Sequence, residues 1–318
     1  MKIIFMGTPD FAVPVLEALV QSRHEVVLAV TQPDRMKGRS AKLLFSPVKE
    51  CAVKHGIEVF QPARIKTPEA VEKLQSVEAD IMVVAAYGQI LSTQILEMKK
   101  YGCINVHGSL LPQLRGAAPI QKAVIDGLEK TGITIMQMDA GLDTGDMILK
   151  EEVVLDRKET AATLFDKLSL IGGPLLLRAL DQIEDGTAVR IPQDSEQATY
   201  AGMFKKEMGL IDWNKPADEI ERLVRGMDPW PCAYTYYKDK QLKIWSSDTV
   251  SVEQPDQTAS SMPGTVIDVR KDCVIVRTGS QDMALALKEV QLEGKKRMSV
   301  RDFLLGNRMT EGEQLGSK

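Results

Sequence analysis

The sequence predicts an α/β protein, an N-terminal Rossmann-like parallel-sheet domain followed by a C-terminal OB-like β-barrel domain. Three observations predict it. The chain opens as strand, turn, helix and strand, the repeating unit of a parallel sheet. Residues 79–86, Ala-Asp-Ile-Met-Val-Val-Ala-Ala, form a nearly continuous apolar run, as a central strand covered on both faces requires. After residue 206 the chain turns to short strand-like runs separated by turn residues, the pattern of a small antiparallel barrel.

The elements follow in order. Lys2 to Met6 is the first strand, closed by Gly7-Thr8-Pro9-Asp10; Pro14 to Gln21 has helical periodicity, and Val26 to Thr31 is the second strand. The first turn holds a single glycine, so the G-x-G-x-x-G needed to cradle a dinucleotide is missing and nicotinamide or flavin binding of the usual kind is disfavoured. Gln32 to Ser46 is a long connection with Arg35, Lys37, Arg39 and Lys42 against one acid, Asp34. Loops of that length tend to be functional, and this one suits a phosphate-bearing substrate, although a solvated surface loop reads the same way and is slightly favoured by the residues alone. A helix over Pro47 to His55, a strand over Ile57 to Phe60 and a helix over Pro68 to Ser76 lead to the central strand, which ends at Tyr87-Gly88. Cys103 to His107 is its neighbour. Gly116-Ala117-Ala118-Pro119 opens a helix, Gly132 to Met138 and Met147 to Leu155 are strands, and two helical segments, Thr160 to Leu170 and Pro174 to Ile183, flank Gly172-Gly173. Residues 1–188 form the first domain, 189–206 a polar linker, and 207–318 the second domain. The latter holds a helix over Ala217 to Arg225, strands over 233–238, 241–245, 264–269, 273–277 and 283–290, and a helix from Ser299 to Gly306.

Composition narrows the chemistry. Lys and Arg number 40 against 44 Asp and Glu, a net charge of −4; nucleic-acid contact must therefore come from local patches. Cys51, Cys103, Cys232 and Cys273 are scattered without C-x-x-C spacing, and there are three histidines, which argues against a metal site or a disulfide scaffold and for reduced thiols in the cytoplasm. The apolar start is too short for a signal peptide or a membrane span. No repeat or low-complexity tract is evident.

The stretch that carries chemistry is Asn105-Val106-His107-Gly108-Ser109-Leu110-Leu111-Pro112. Side chains alternate along a strand, so Asn105 and His107 share a face at its carboxyl end, where ligands bind in open α/β sheets. An amide N–H can stabilise an oxygen gaining negative charge, and an imidazole can carry a proton. A strand-end Asn and His satisfied by backbone groups would read the same way. Cys103 shares that face about 7 Å from its neighbours but one, and reads as a buried core cysteine.

These residues, followed 36 positions after His107 by Asp143 in Gly141-Leu142-Asp143-Thr144-Gly145, resemble the signature of the folate-dependent formyltransferases. The resemblance extends end to end, through Gly7-Thr8-Pro9-Asp10-Phe11, Thr31-Gln32-Pro33-Asp34-Arg35, Gly116-Ala117-Ala118-Pro119-Ile120-Gln121 and Asp228-Pro229-Trp230-Pro231, to the members that act on methionyl-tRNA. Gln113-Leu114 departs from the basic and aromatic residues many members carry there. The resemblance implies transfer of a formyl group from 10-formyltetrahydrofolate to the amino group of initiator methionyl-tRNA, without a metal. It implies catalytic roles for Asn105, His107 and Asp143, a folate-binding loop of Ser109, Leu110, Leu111 and Pro112 with Tyr87 and Gly88 as a second wall, and RNA contacts from Arg39, with Lys37 and Lys42 beside it. Lys205-Lys206 and Lys295-Lys296-Arg297 are further phosphate candidates, though short charge runs are more often solvated surface. A monomer free of the membrane is expected. Formyltransferases acting on glycinamide ribonucleotide or on amino sugars are the rival enzymes, and an idle RNA-binding protein on the same scaffold is the rival of another class. The second domain favours a tRNA, which needs an extended surface.

Overall fold

A computed structural model describes residues 1–37, 42–252 and 262–316. The chain forms two compact units, one of residues 1–119, 130–154 and 165–201, the other of 120–129, 155–164 and 202–318.

In the first unit, β1 (Lys2–Gly7), α1 (Ala12–Val20) and β2 (Glu25–Val30) open the chain as the hydrophobic pattern requires. α2 (Pro47–Lys54) and α3 (Pro68–Ser76) each start with proline behind a capping hydroxyl: Ser46 Oγ accepts from the Lys49 amide at 3.1 Å and Thr67 Oγ1 from the Ala70 amide at 3.4 Å. The cap satisfies an amide the first turn leaves free, and proline has none to lose. β5 (Val59–Phe60), β6 (Ile81–Ala85), β7 (Cys103–His107), β8 (Lys130–Gln137) and β9 (Met147–Val154) complete the sheet, in the order β5-β2-β1-β6-β7-β8-β9. Pairing is parallel from β5 to β7 and antiparallel from β7 to β9. The sheet is thus parallel-dominated, where the pattern alone predicts a parallel one. β8 starts from the edge at which β7 ends, with His107 opposite Thr134, and so runs back against it. One face of the sheet packs Ile4, Met6, Leu28, Val30, Met82, Val84 and Cys103 into a core with Tyr87, Ile95 and Leu96.

Three expectations are corrected. The long connection holds a short antiparallel hairpin, β3 (Arg35–Lys37) and β4 (Lys42–Leu44). A short helix, α4 (Thr93–Leu96), precedes β7. The two helical segments after β9 are one 24-residue helix, α6 (Ala161–Glu184), with Pro174 inside it. Its glycines serve close packing rather than a break. A Cβ at Gly173 would lie 2.6 Å from the Ala18 Cβ and 3.2 Å from the Pro14 carbonyl oxygen, and one at Gly172 would lie 3.1 Å from Val106. Pro174 removes the donor to Leu170, which sits at an exposed position (69%).

The chain passes through α5 (Pro119–Ile125) between β7 and β8. In the second unit α7 (Ala217–Gly226) precedes β10 (Ala233–Tyr237), β11 (Lys240–Ser251), β12 (Val266–Val269), β13 (Val274–Arg277) and β14 (Met283–Leu292), ordered β10-β11-β14-β13-β12 and antiparallel throughout. β15 (Met298–Ser299) adds to β14, and α8 (Val300–Gly306) is capped by Ser299 Oγ on the Asp302 amide at 3.1 Å. The sheet is open: its outer strands β10 and β12 are not paired with each other among the described residues. β11 runs well past the expected Trp245, bulging near Ser246 before it continues against β14 to Ser251; polar Ser246-Ser247-Asp248 masked a strand that β14 enforces.

Candidate active site

β7 delivers Asn105 and His107 to one face at its carboxyl end, 9% and 4% exposed. The His107 Nε2 lies 3.1 Å from the Leu114 carbonyl oxygen. A carbonyl can only accept, so Nε2 carries the proton and Nδ1 is the atom turned toward Asp143, 3.7 Å from its Oδ2. Asn105 Nδ2 donates to the other carboxylate oxygen at 3.5 Å, and the Gly116 amide donates to Oδ2 at 2.8 Å. An amide donor, an imidazole and a carboxylate therefore surround one point. The two side-chain contacts are long, as catalytic hydrogen bonds often are before substrate binds. Leu114 and Asp143 both reach these positions from left-handed backbone, φ 58° and 52°, a conformation that costs non-glycine residues on the order of 1 kcal/mol each.

The loop after β7 is fastened by its own backbone. Ser109 is fully buried; its Oγ donates to the Gln113 carbonyl at 2.6 Å and its carbonyl accepts from Thr134 Oγ1 at 2.7 Å. The Leu111 amide donates to the same Thr134 oxygen at 3.1 Å, its carbonyl accepts from Lys150 Nζ, and its side chain packs with Met136 and Met147. Burial lowers the Lys150 pKa. Leu110 and Pro112 are half-buried and keep surface free. Tyr87 is 2% exposed and belongs to the core; its carbonyl accepts from Thr8 Oγ1 at 2.9 Å and Gln32 Nε2 at 3.2 Å. Burial pushes its phenol up to about 12, and the hydroxyl has no hydrogen-bond partner among the described residues. Gly88, beside it, is exposed with φ 87°. Lys37 and Lys42 face each other across the hairpin backbone, and Arg39 lies outside the described residues. Leu43, Leu44 and Phe45 follow at 51%, 48% and 41% exposure.

Residues from the expected linker enter the site. Gln193 Nε2 donates to the carbonyls of Asp143 at 2.8 Å and Gly145 at 2.7 Å, and its Oε1 accepts from Arg115 Nε at 3.0 Å and Nη2 at 2.8 Å. Thr199 Oγ1 accepts from the Leu114 amide at 2.9 Å, and the Arg115 backbone pairs with Thr199 and Ala201. A polar stretch without periodicity carries no signal for such contacts; the single hint is Arg115 next to the Gly116 block.

Elsewhere, Glu17, Cys51 and His55 bring ligating atoms within 4.8 Å of one another on α1 and α2. The carboxylate is already engaged there, by His55 Nε2 at 2.9 Å and Lys54 Nζ at 3.3 Å. A cavity of about 300 Å³ in the second unit is lined by Arg157, Lys158, Arg222 and Arg225. Arg222 pairs with Asp218 at 2.7 Å, Arg225 with Glu221 at 2.9 Å, and Lys158 with Glu221 at 3.2 Å and with Asp248, so three of these cations are already neutralised.

Comparison with known proteins follows the same division. Residues 1–180 match the formyl transferase family model and residues 203–308 the model for the formyl transferase C-terminal domain. The methionyl-tRNA formyltransferase of Agathobacter rectalis is 54% identical over 312 residues, 98% of this chain and 98% of that protein. That of Lachnospira eligens is 50% identical over 316 residues, 99% of this chain and all of that protein. Among solved structures, an N-formyltransferase from Helicobacter canadensis in complex with folinic acid and dTDP-3-aminofucose shares the fold at a TM-score of 0.66 and 16% identity, over 90% of this chain and 98% of that one.

Proposed function

The chain belongs to the formyl transferase family, and on that premise we propose that it moves a formyl group from 10-formyltetrahydrofolate to the amino group of methionine on initiator methionyl-tRNA. One observation carries the mechanism: the polar atoms of Asn105 and His107, at the end of β7, both come within 3.7 Å of the Asp143 carboxylate. Attack by the amine forms the new N–C bond, and the charge that builds on the formyl oxygen is met by the Asn105 N–H, a donor worth about a hundred- to a thousandfold in rate. Asp143 takes the proton the amine loses. His107 takes that proton from Asp143 at Nδ1 and gives it to the folate nitrogen as its bond to carbon breaks, so both groups return to their starting state. The protein supplies no nucleophile because the substrate brings one.

Support for the donor's seat comes from the surface the loop leaves free: Leu110 and Pro112 are half-buried, and Gly88 presents open backbone. Ser109, Leu111 and Tyr87 act from beneath, holding those residues in place. The basic stretch of Arg39, Lys37 and Lys42 is assigned to the tRNA acceptor end on the charge of the sequence. Residues 1–188 are the catalytic domain, 189–206 the linker, and 207–318 the RNA-binding domain, an OB-like barrel in kind. Its aromatic and cationic face at Trp245, with Arg297 at 4.7 Å and Lys243 at 5.9 Å from the ring, supports that reading. Among the described residues no helix is long and apolar enough to cross a membrane; the enzyme is assigned to the cytoplasm as a monomer.

The test offers methionyl-tRNA and glycinamide ribonucleotide to the wild type and to Asn105→Ala. Formylmethionyl-tRNA alone is the expected product, with kcat reduced about a hundredfold or more in the variant. Formylation of the ribonucleotide alone, or unchanged activity in the variant, would overturn the proposal.

A further inference from the structure

Asp143 is left-handed and carries the carboxylate that faces Asn105 and His107. Left-handed backbone at a non-glycine residue persists only where its surroundings hold it, so the holders can be sought. The first half of the loop is held by Asp139, whose Oδ1 accepts from the Gly141 amide at 3.0 Å and Thr144 Oγ1 at 2.7 Å. The carbonyls on either side of Thr144 are held by Gln193: both of its amide hydrogens are spent on those of Asp143 and Gly145. The orientation of that amide is not in question, since carbonyls only accept and guanidinium only donates. Arg115, 2% exposed, puts two charge-assisted hydrogen bonds on Oε1, which polarises the amide and strengthens its donors on the far side. The residue after Arg115 supplies the amide that holds the carboxylate itself. Arg115-Gly116 and Gln193 thus grip Asp143 from side chain and backbone together.

We infer that Gln193 is a positioning residue for the formyl transfer: it fixes the backbone of residues 143–145 so that the Asp143 carboxylate stands ready to accept the amine's proton. The inference rests on the reading of Asp143 as that acceptor. Both ends of the Gln193 amide are spent on Arg115 and the loop itself, so its loss should act on turnover and leave binding alone.

The experiment compares Gln193→Ala, Gln193→Glu, Asp143→Asn and the double variant Asp143→Asn/Gln193→Ala in the full chain, measuring kcat and the KM of each substrate. Removing a partner that orients an active-site group costs roughly 10- to 100-fold, so kcat should fall by that factor in Gln193→Ala while both KM values stay within about twofold. The double variant should be no slower than Asp143→Asn, because residues acting through one another are not additive. Gln193→Glu keeps the size and the Arg115 partner but turns an acceptor onto two carbonyls. It should lose kcat likewise, and it carries the test if the alanine variant does not fold. Full kcat in Asp143→Asn would remove the acceptor reading and this inference with it. Loss in Asp143→Asn beside full kcat in either Gln193 variant, or losses that multiply in the double variant, would overturn the role of Gln193 alone.

Discussion

Gly145→Ala should leave a folded protein that barely turns over. A Cβ at residue 145 would lie 1.9 Å from the Gln137 carbonyl oxygen, 3.0 Å from its carbon and 3.3 Å from the Asp139 amide nitrogen. Ordinary contact begins at 3.4 Å, so one side must retreat by 3.4 − 1.9, about 1.5 Å. Gln137 is the less able to move: it ends β8, its amide donates to the Asp146 carbonyl at 2.8 Å and its side chain to the Cys103 carbonyl at 3.0 Å. The loop therefore shifts, with Asp143 two residues away. Its carboxylate stands 3.5 Å from Asn105 and 3.7 Å from His107, and a displacement of that size removes both contacts. Misplacing a reacting group by about 1 Å costs on the order of a hundredfold in rate, while the overpacking costs about 1–3 kcal/mol of stability. The assay is formylation of methionyl-tRNA at saturating concentrations of both substrates, with thermal unfolding as the check on folding. A folded alanine variant with kcat within about threefold of wild type would refute the reasoning.

Two further outcomes follow from buried titratable groups. His24 is 6% exposed, and burial, then the neighbouring N-terminal ammonium and Arg23, lower its pKa below the ordinary 6.5. The unfolded chain binds that proton more readily, so the stabilisation is complete above pH 6.5 and is lost as pH falls from there toward the folded value. The melting temperature of the wild type should drop across that window and that of His24→Gln should drop less; equal slopes would refute the assignment. All four thiols are buried: Cys51 and Cys232 are pushed up to about 11, and Cys103 and Cys273 are also raised. At pH 8 a thiol pushed up to about 11 is thiolate about one part in a thousand, so iodoacetamide should alkylate Cys51 and Cys232 at least about a hundredfold more slowly in the native protein than in the denatured one. Either of the two reacting natively at the free-thiol rate would contradict this.

How much of this was legible depends on the range over which each residue acts. The strand Cys103–His107 could be read because alternation is local, and with it the common face of Asn105 and His107. The helix starts at Pro47, Pro68 and Ser299 were legible for the same reason. Gly172-Gly173-Pro174 misled, since the residues that break an isolated helix are also those that let it lie against α1, and the pattern does not contain α1. The reversal at β8 was hidden because an apolar strand reads alike in either direction. Gln193 was beyond reach: its partners lie 78 and 50 positions away, at Arg115 and Asp143.

The tie between Arg115 and Gln193 limits how the protein can be shortened. Residue 180, where the N-terminal family match ends, and Glu184, where α6 ends, are both natural places to stop a truncated gene. Either cut takes away Gln193 Oε1, the acceptor of two hydrogen bonds from a guanidinium that is 2% exposed in the whole chain, and a hydrogen bond to a charged group is worth about 1.5–3 kcal/mol. It also removes Thr199 and Ala201, the edge on which residues 114–118 are strung. A fragment meant to keep the reacting groups in place has to run through Ala201, well beyond the last residue that looks like part of the sheet or its helices.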